Sequence, residues 1–158
     1  GADFDRDGKA DVVVGAGHVC ALAPAGAVTC WGRAREGQLG HGEAIDPPGP
    51  VVAVGLTDAV QLAAGARHTC ALRRDGTIAC WGANADGQLG QGTTRPSFVP
   101  AAVLGDGRYA AVVAGDAHTC ALRREGTVDC WGSNGAGQQG GGGTLGSVRP
   151  RAVALSCR

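Results

Sequence analysis

Short apolar runs alternate along this chain with polar, glycine-rich turns. The runs AVQLAA at 59–64 and YAAVVA at 109–114 are made of β-branched or small residues, and each precedes a glycine-containing corner. Runs of this length bounded by turn residues are typical of β-strands, whereas amphipathic helices need an apolar period near 3.6 residues, which the chain lacks. The pattern therefore predicts an all-β protein of short strands.

The pattern repeats with a period of fifty residues: HVCALAPAGAVTCWG at 18–32 returns as HTCALRRDGTIACWG at 68–82 and as HTCALRREGTVDCWG at 118–132. The same offset relates Gly15, Gly65 and Gly115, Trp31, Trp81 and Trp131, Gly40, Gly90 and Gly140, and Pro50, Pro100 and Pro150. Self-similarity at this period is typical of propellers and solenoids. Each copy offers about four short strands, which is enough for one propeller blade.

The cysteines fall within the repeated stretch. If Arg74-Asp75-Gly76 is a three-residue hairpin loop with Gly76 in the left-handed region, Cys70 lies directly opposite Cys80. Opposed Cα atoms in an antiparallel pair are ~4.5 to 5.5 Å apart, which suits a disulfide. We predict one disulfide per hairpin, namely Cys20 with Cys30, Cys70 with Cys80, and Cys120 with Cys130, leaving Cys157 over. The alternative is three pairs of reduced core cysteines in a cytosolic protein.

The stretches CWGANADGQLGQG and CWGSNGAGQQGGG resemble the regulator of chromosome condensation repeat, in a bacterial secreted variety with paired cysteines. The first copy, CWGRAREGQLGHG, departs from the pattern because Ala34 aligns with Asn84 and Asn134. The resemblance covers about residues 12–156 and implies β-propeller blades, with repeats at 12–50, 51–100 and 101–150 and a terminal strand remnant at 151–158. Propellers close with roughly four to eight blades. We therefore expect three four-stranded blades that form part of a larger ring or complete one by self-association.

One stretch, DFDRDGKAD at 3–11, has no counterpart in the other copies. It resembles the calcium loop of the FG-GAP repeat, and residues 1–14 would form this loop and a first strand. Calcium takes six to eight oxygen ligands, which alternating aspartates supply. The proposed ligands are the carboxylates of Asp3, Asp5, Asp7 and Asp11 and the main-chain carbonyl of Lys9. The alternatives are a solvated acidic turn, or the relic of such a loop at a truncated end without its remaining ligands.

Residues that recur in every blade are expected to serve the blade itself. This applies to His18, His68 and His118, and to Gln38, Gln88 and Gln138, whose side chains we expect to bond backbone groups between blades. Residues that break the repeat are the better candidates for a partner surface, because loops carry binding functions and arginine and aromatic residues are favoured at interfaces. The candidates are Arg33, Arg35, Phe98, Arg108 and Tyr109.

Charge and composition exclude several classes of function. The net charge is zero and no basic stripe is present, which argues against nucleic-acid binding. No apolar run approaches the ~20 residues of a membrane span. No nucleophile, acid–base pair or phosphate loop is recognisable, so we predict no enzymatic activity. Because the chain has no methionine, we expect a processed form or a part of a longer protein.

The predicted function is a secreted or cell-surface module, possible also in the periplasm, that binds a protein or glycan and carries a structural calcium ion. Disulfides and a calcium loop both suit an extracellular setting. Two alternatives stay open. One is a guanine-nucleotide exchange factor-like regulator of a small GTPase, as the resemblance implies, and the other is a structural spacer in a larger surface protein.

Overall fold

The computed structural model describes residues 11–153, and this part of the chain forms three four-stranded antiparallel sheets without a helix. The first sheet contains β1 (Val12–Val14), β2 (His18–Leu22), β3 (Val28–Gly32) and β4 (Val51–Val52). The second contains β5 (Ala59–Ala64), β6 (His68–Arg73), β7 (Ile78–Gly82) and β8 (Ser97–Ala102). The third contains β9 (Tyr109–Ala114), β10 (His118–Arg123), β11 (Val128–Gly132) and β12 (Ser147–Ala152). Strands pair in chain order within each sheet, which confirms the predicted blades.

The central hairpin of each blade has the predicted register. In the second blade Cys70 lies opposite Cys80 and Leu72 opposite Ile78. The loop closes through Gly76, whose φ of +89° lies in the left-handed region that only glycine adopts without strain. All three predicted disulfides are present, each with a Cα–Cα distance of 4.1 Å. Cys157 lies outside the described residues.

Side-chain alternation gives each blade one disulfide face and one tryptophan face. The disulfide face of the first blade packs on the tryptophan face of the second, where Trp81 is fully buried. The second blade meets the third in the same way, with Trp131 fully buried. A buried tryptophan removes about 200 Å² from water, worth roughly 5 kcal/mol before entropic costs. The two interfaces between blades therefore form the core.

The innermost strands β1, β5 and β9 lie side by side, and their ends are tied by main-chain bonds from Ala16 N to Ala66 O and from Ala66 N to Asp116 O, each 3.0 Å. The fourth strands form the outer edges. Pro100 can lie in β8 because an edge strand tolerates a residue without an N–H.

The second and third blades span 59–102 and 109–152. Each thus begins eight residues and ends two residues after the corresponding repeat unit, 51–100 or 101–150.

The outward faces of the first and third blades are uncovered within the described part of the chain. Trp31 is 37% exposed, although its two counterparts are fully buried. On the opposite face Val113 is 60% exposed and Leu122 is 41% exposed. The three blades are therefore an incomplete propeller.

Candidate functional site

A repeated chain of hydrogen bonds joins each blade to the next. His68 Nε2 lies 2.9 Å from Thr119 Oγ1, and Thr119 Oγ1 donates to the Gln88 carbonyl at 2.9 Å. Trp131 Nε1 donates to the same carbonyl at 2.8 Å. Because the threonine hydroxyl gives its only hydrogen to Gln88, its oxygen accepts from the histidine, which places the ring proton on Nε2.

The same contacts join the first blade to the second. His18 Nε2 lies 2.8 Å from Thr69 Oγ1, while Thr69 Oγ1 and Trp81 Nε1 both donate to the Gln38 carbonyl at 3.0 Å. We call each set of histidine, threonine, glutamine carbonyl and tryptophan the blade latch. The structural role expected for these two histidines is confirmed by their contacts.

Burial holds the latch histidines in the neutral form. It lowers the pKa of His18 to about 4 and that of His68 to about 3, and in His68 the two other repeat histidines add to the effect. Nδ1 of both rings is buried without a hydrogen-bond partner. Gly65 is required beside His68, because a Cβ there would collide with the ring. Protonation of either ring would place a charge inside an apolar interface.

The glutamines act differently from the prediction. The side-chain oxygen of Gln38 accepts from Glu36 N at 2.9 Å, and that of Gln88 accepts from Asp86 N at 3.0 Å, both within their own turns. The expectation that these side chains bond between blades was therefore wrong. The main-chain carbonyl of the same residue makes the contact between blades, because the side chain is used to close the tight turn.

Tyr109 is held inside the third blade. It is 4% exposed, and its hydroxyl donates to Asp129 Oδ2 at 2.8 Å. Arg123 Nε donates to the same oxygen at 2.7 Å. The Cζ of the Arg123 guanidinium lies over the tyrosine ring, 5.7 Å from its centre. Burial, followed by the hydrogen bond to Asp129, raises the pKa of Tyr109 above its usual range. This placement gives Tyr109 a packing role and leaves it little surface for a partner.

The structure does not bring the other candidate partner residues into one patch. Arg33 and Arg35 are exposed in the loop that follows β3, and Arg35 lies 3.8 Å from Asp46. Phe98 is half-buried near that same end of the blades, where its side chain lies against Gly37. Arg108 is exposed at the opposite end, beside the hairpin loop of the second blade. Their role in binding stays a prediction.

Family models match most of the repeat region. Two models described as "Regulator of chromosome condensation (RCC1) repeat" match residues 25–72 and 75–122 in one case and 59–88 and 109–138 in the other. The first of these spans more than half of the 158 residues. The chain belongs to the RCC1 repeat family. No curated protein sequence matches it.

Solved structures share the RCC1 fold with this chain. Human WBSCR16 is 26% identical with a TM-score of 0.82, and the match covers 96% of this chain and 39% of that one. Prp20p from Saccharomyces cerevisiae is 20% identical with a TM-score of 0.80, covering 92% of this chain and 38% of that one. At that identity the second match shows the fold alone. The chain thus spans about two fifths of the length of these relatives.

The predicted calcium loop falls largely beyond the region the structure describes. Asp3, Asp5, Asp7 and Lys9 lie outside the described residues, and Asp11 is the first residue within them, where its carbonyl accepts from Leu22 N at 2.7 Å. Within residues 11–153 no three histidine, cysteine or acidic side chains are grouped to hold a metal ion. The same residues include no helix that is long and apolar enough to cross a membrane.

The latch threonines were missed by sequence reasoning. In the first copy of this RCC1 array, Val19 occupies the position of Thr69 and Thr119. This single difference between the copies was the sequence signal that could have pointed to the threonines. Valine cannot complete a latch with a preceding histidine because it has no hydroxyl. The first blade therefore presents a tryptophan face that differs from the other two in hydrogen bonding.

Proposed function

We propose that this RCC1-repeat chain is a protein- or glycan-binding module that works in an oxidising compartment, secreted or at a cell surface. The observation that carries this proposal is the set of three disulfides, each inside its own hairpin and facing the core or an open blade face. Disulfides persist in secreted and surface proteins and are rare in the cytosol. In the cytosol, where thiols are kept reduced, a disulfide in every hairpin would not be expected.

The binding role is supported by the family and by the residues that break the repeat. The published description of Prp20p names binding to Gsp1p and histones, so an RCC1-type propeller serves as an interaction platform in that protein. A regulator of a small GTPase is the alternative for this chain. The disulfides disfavour it, because GTPase regulation takes place in reducing compartments.

A screen of extracellular proteins and glycans tests the binding role. The variant R33A/R35A removes two exposed guanidinium groups from the loop after β3, and R74A removes one from the opposite end as a matched control. We expect the double variant to weaken capture of a selected partner about tenfold and the control to leave it unchanged. Equal effects of both variants, or no selective partner, would count against the proposal.

Self-association forms part of the same proposal, and a second copy is the occupant of the open faces. The third blade exposes the kind of disulfide face that covers Trp81 and Trp131 inside the chain, and Trp31 is the one remaining tryptophan of this type. Among the described residues the Gln138 carbonyl has no tryptophan donor, in contrast with those of Gln38 and Gln88. A bond from Trp31 to Gln138 of another copy would repeat a contact that the chain already makes twice.

Light scattering tests self-association. We expect a defined oligomer for the native chain, a smaller mass for W31A, and a tighter oligomer for V19T, which restores the missing latch hydroxyl. A monomer at all concentrations, unaffected by V19T, would refute the second copy as occupant and favour further blades of a longer chain.

The calcium loop at 3–11 is proposed as a structural site of this module. We expect calorimetry to detect binding at ~10⁻⁴ to 10⁻³ M, as in other extracellular modules. D5A/D7A should abolish it, whereas D75A, in an exposed hairpin loop, should not. Binding that survives D5A/D7A would remove the site from these residues.

A further inference from the structure

In the second and third blades a β-bulge interrupts the pairing of the third and fourth strands. In the second blade Cys80 pairs with Ala101, and the register then shifts before Gly82 pairs with Ser97. Beside this bulge, the side-chain amide of Gln91 donates to the carbonyl of Cys80 at 2.9 Å and to that of Ala101 at 3.1 Å. A single primary amide therefore adds a hydrogen bond to each of two carbonyls on paired strands.

The third blade has the same bulge without the amide. Cys130 pairs with Arg151, and the register shifts before Gly132 pairs with Ser147. The residue that corresponds to Gln91 is Gly141, and a Cβ built on Gly141 would meet no atom within 4 Å. In the described part of the chain, no side chain donates to the carbonyls of Cys130 and Arg151 as Gln91 donates to those of Cys80 and Ala101.

A cavity of about 320 Å³ occupies this position. Its walls are Asn134, Gln139, Gly141, Gly143, Leu145, Arg151 and Ala152. The Asn134 amide is already committed to the carbonyls of Gly143 and Leu145, and the Gln139 amide to the carbonyl of Gly132. These bonds fix the walls and leave Arg151 as the lining residue whose polar groups are not committed to them. The Cys130 carbonyl, which corresponds to that of Cys80, lies on the strand paired with Arg151.

We propose that this cavity binds a primary carboxamide, the group of a glutamine or asparagine side chain. Its NH₂ would donate to the carbonyls of Cys130 and Arg151 as Gln91 does in the second blade, and its oxygen would face the Arg151 guanidinium. A lysine ammonium would also donate to two carbonyls, but the neighbouring guanidinium repels a cation. The volume is at the lower end of the range for ligand pockets and suits one amino-acid-sized group.

The amide has two possible sources, a free amino acid or a residue of the partner protein, and only the second rests on the proposed binding function. Titration of ¹⁵N-labelled protein with free L-glutamine and with N-acetylglutamine N-methylamide separates them, since the capped compound mimics a residue in a chain. N-acetylmethionine N-methylamide has a side chain of similar length without donors and is the matched negative probe.

We expect the side-chain amide signals of Asn134 and Gln139 to move with a glutamine probe. The methionine probe should bind at least about tenfold more weakly, because it has no donor for the two carbonyls. Tighter binding of free glutamine would indicate a small-molecule site, and tighter binding of the capped form would indicate a peptide site. Either supports the proposal. Absence of shifts with both glutamine probes, or equal binding of the methionine probe, would overturn it.

Two variants at one position provide the controls. G141Q supplies the amide from the chain itself, and its backbone is compatible because Gly141 is not among the glycines with positive φ. We expect it to lose probe binding and to unfold at a higher temperature, whereas G141A should keep binding. R151A, which restores the alanine of the second blade, should weaken binding several-fold without loss of fold. Undiminished probe binding by G141Q would refute the site, even if the partner screen succeeds. Conversely, probe binding by the native chain would support the site even if the partner screen fails.

Discussion

Mild acid should destabilise the folded blades, because the latch histidines bind protons readily only when the chain unfolds. In the folded protein the pKa values of His18 and His68 are lowered to about 4 and about 3 by burial, against 6.5 for the exposed ring. Between these values the unfolded chain binds more protons than the folded one. Stability is therefore complete above about pH 7 and is lost progressively as the pH falls through 6.5 towards the folded values.

The size of the effect follows from the shifts. pH 5 lies about 1.5 units below the pKa of an unfolded ring, so that ring is protonated. Both folded rings stay mainly neutral at this pH. At about 1.4 kcal/mol per unit, each histidine contributes a loss of about 2 kcal/mol between pH 7 and pH 5. The two together amount to about 4 kcal/mol, a large fraction of the stability of a small domain.

Urea unfolding followed by tryptophan fluorescence at pH 7.5, 6 and 5 measures this loss. In H68Q the slope of unfolding free energy against pH should fall to about half, because one titrating ring is gone. T119V is the matched control, since it removes the hydrogen bond to His68 and keeps the ring buried, and its slope should be preserved while stability at pH 7.5 falls by about 1 kcal/mol. An unchanged slope in H68Q, or a native slope near zero, would refute the reasoning.

Three further changes should be measured by the same unfolding assay at pH 7.5. Replacing Cys70 and Cys80 by serine should cost about 3 kcal/mol, the loop-closure value for a disulfide of this span, and a loss below about 1 kcal/mol would show that the bond adds little. G65A should cost at least about 2 kcal/mol because its methyl group collides with His68, and a neutral result would contradict the tight packing around that ring. D129A removes the shared acceptor of a buried tyrosine and an arginine and should cost about 3 kcal/mol, whereas no loss would mean that neither hydrogen bond matters.

The hairpins and disulfides were predictable because their determinants are local. A three-residue loop closed by Gly76 fixes the register, and the register alone places Cys70 opposite Cys80. The blades were predictable for a related reason, since three copies of one pattern must fold alike and stack alike. Both inferences needed only spacing and backbone geometry.

The contacts between blades were not predictable in the same way. The Gln38 carbonyl meets Trp81, 43 residues away, and nothing in the local sequence distinguishes this carbonyl from its neighbours. Tyr109 breaks the repeat, which predicts a surface residue, but Asp129, twenty residues on, provides a buried partner. The cavity beside Gly141 arises from a missing side chain, which becomes visible only when the second blade shows what fills that space.

Peptide mapping of the unreduced protein, isolated from its native compartment under alkylating conditions, is the most direct test of a disulfide-stabilised RCC1 module. We predict three linked pairs, Cys20 with Cys30, Cys70 with Cys80, and Cys120 with Cys130. Recovery of these six cysteines as alkylated free thiols in folded protein would contradict both the hairpin disulfides and the extracellular function that rests on them.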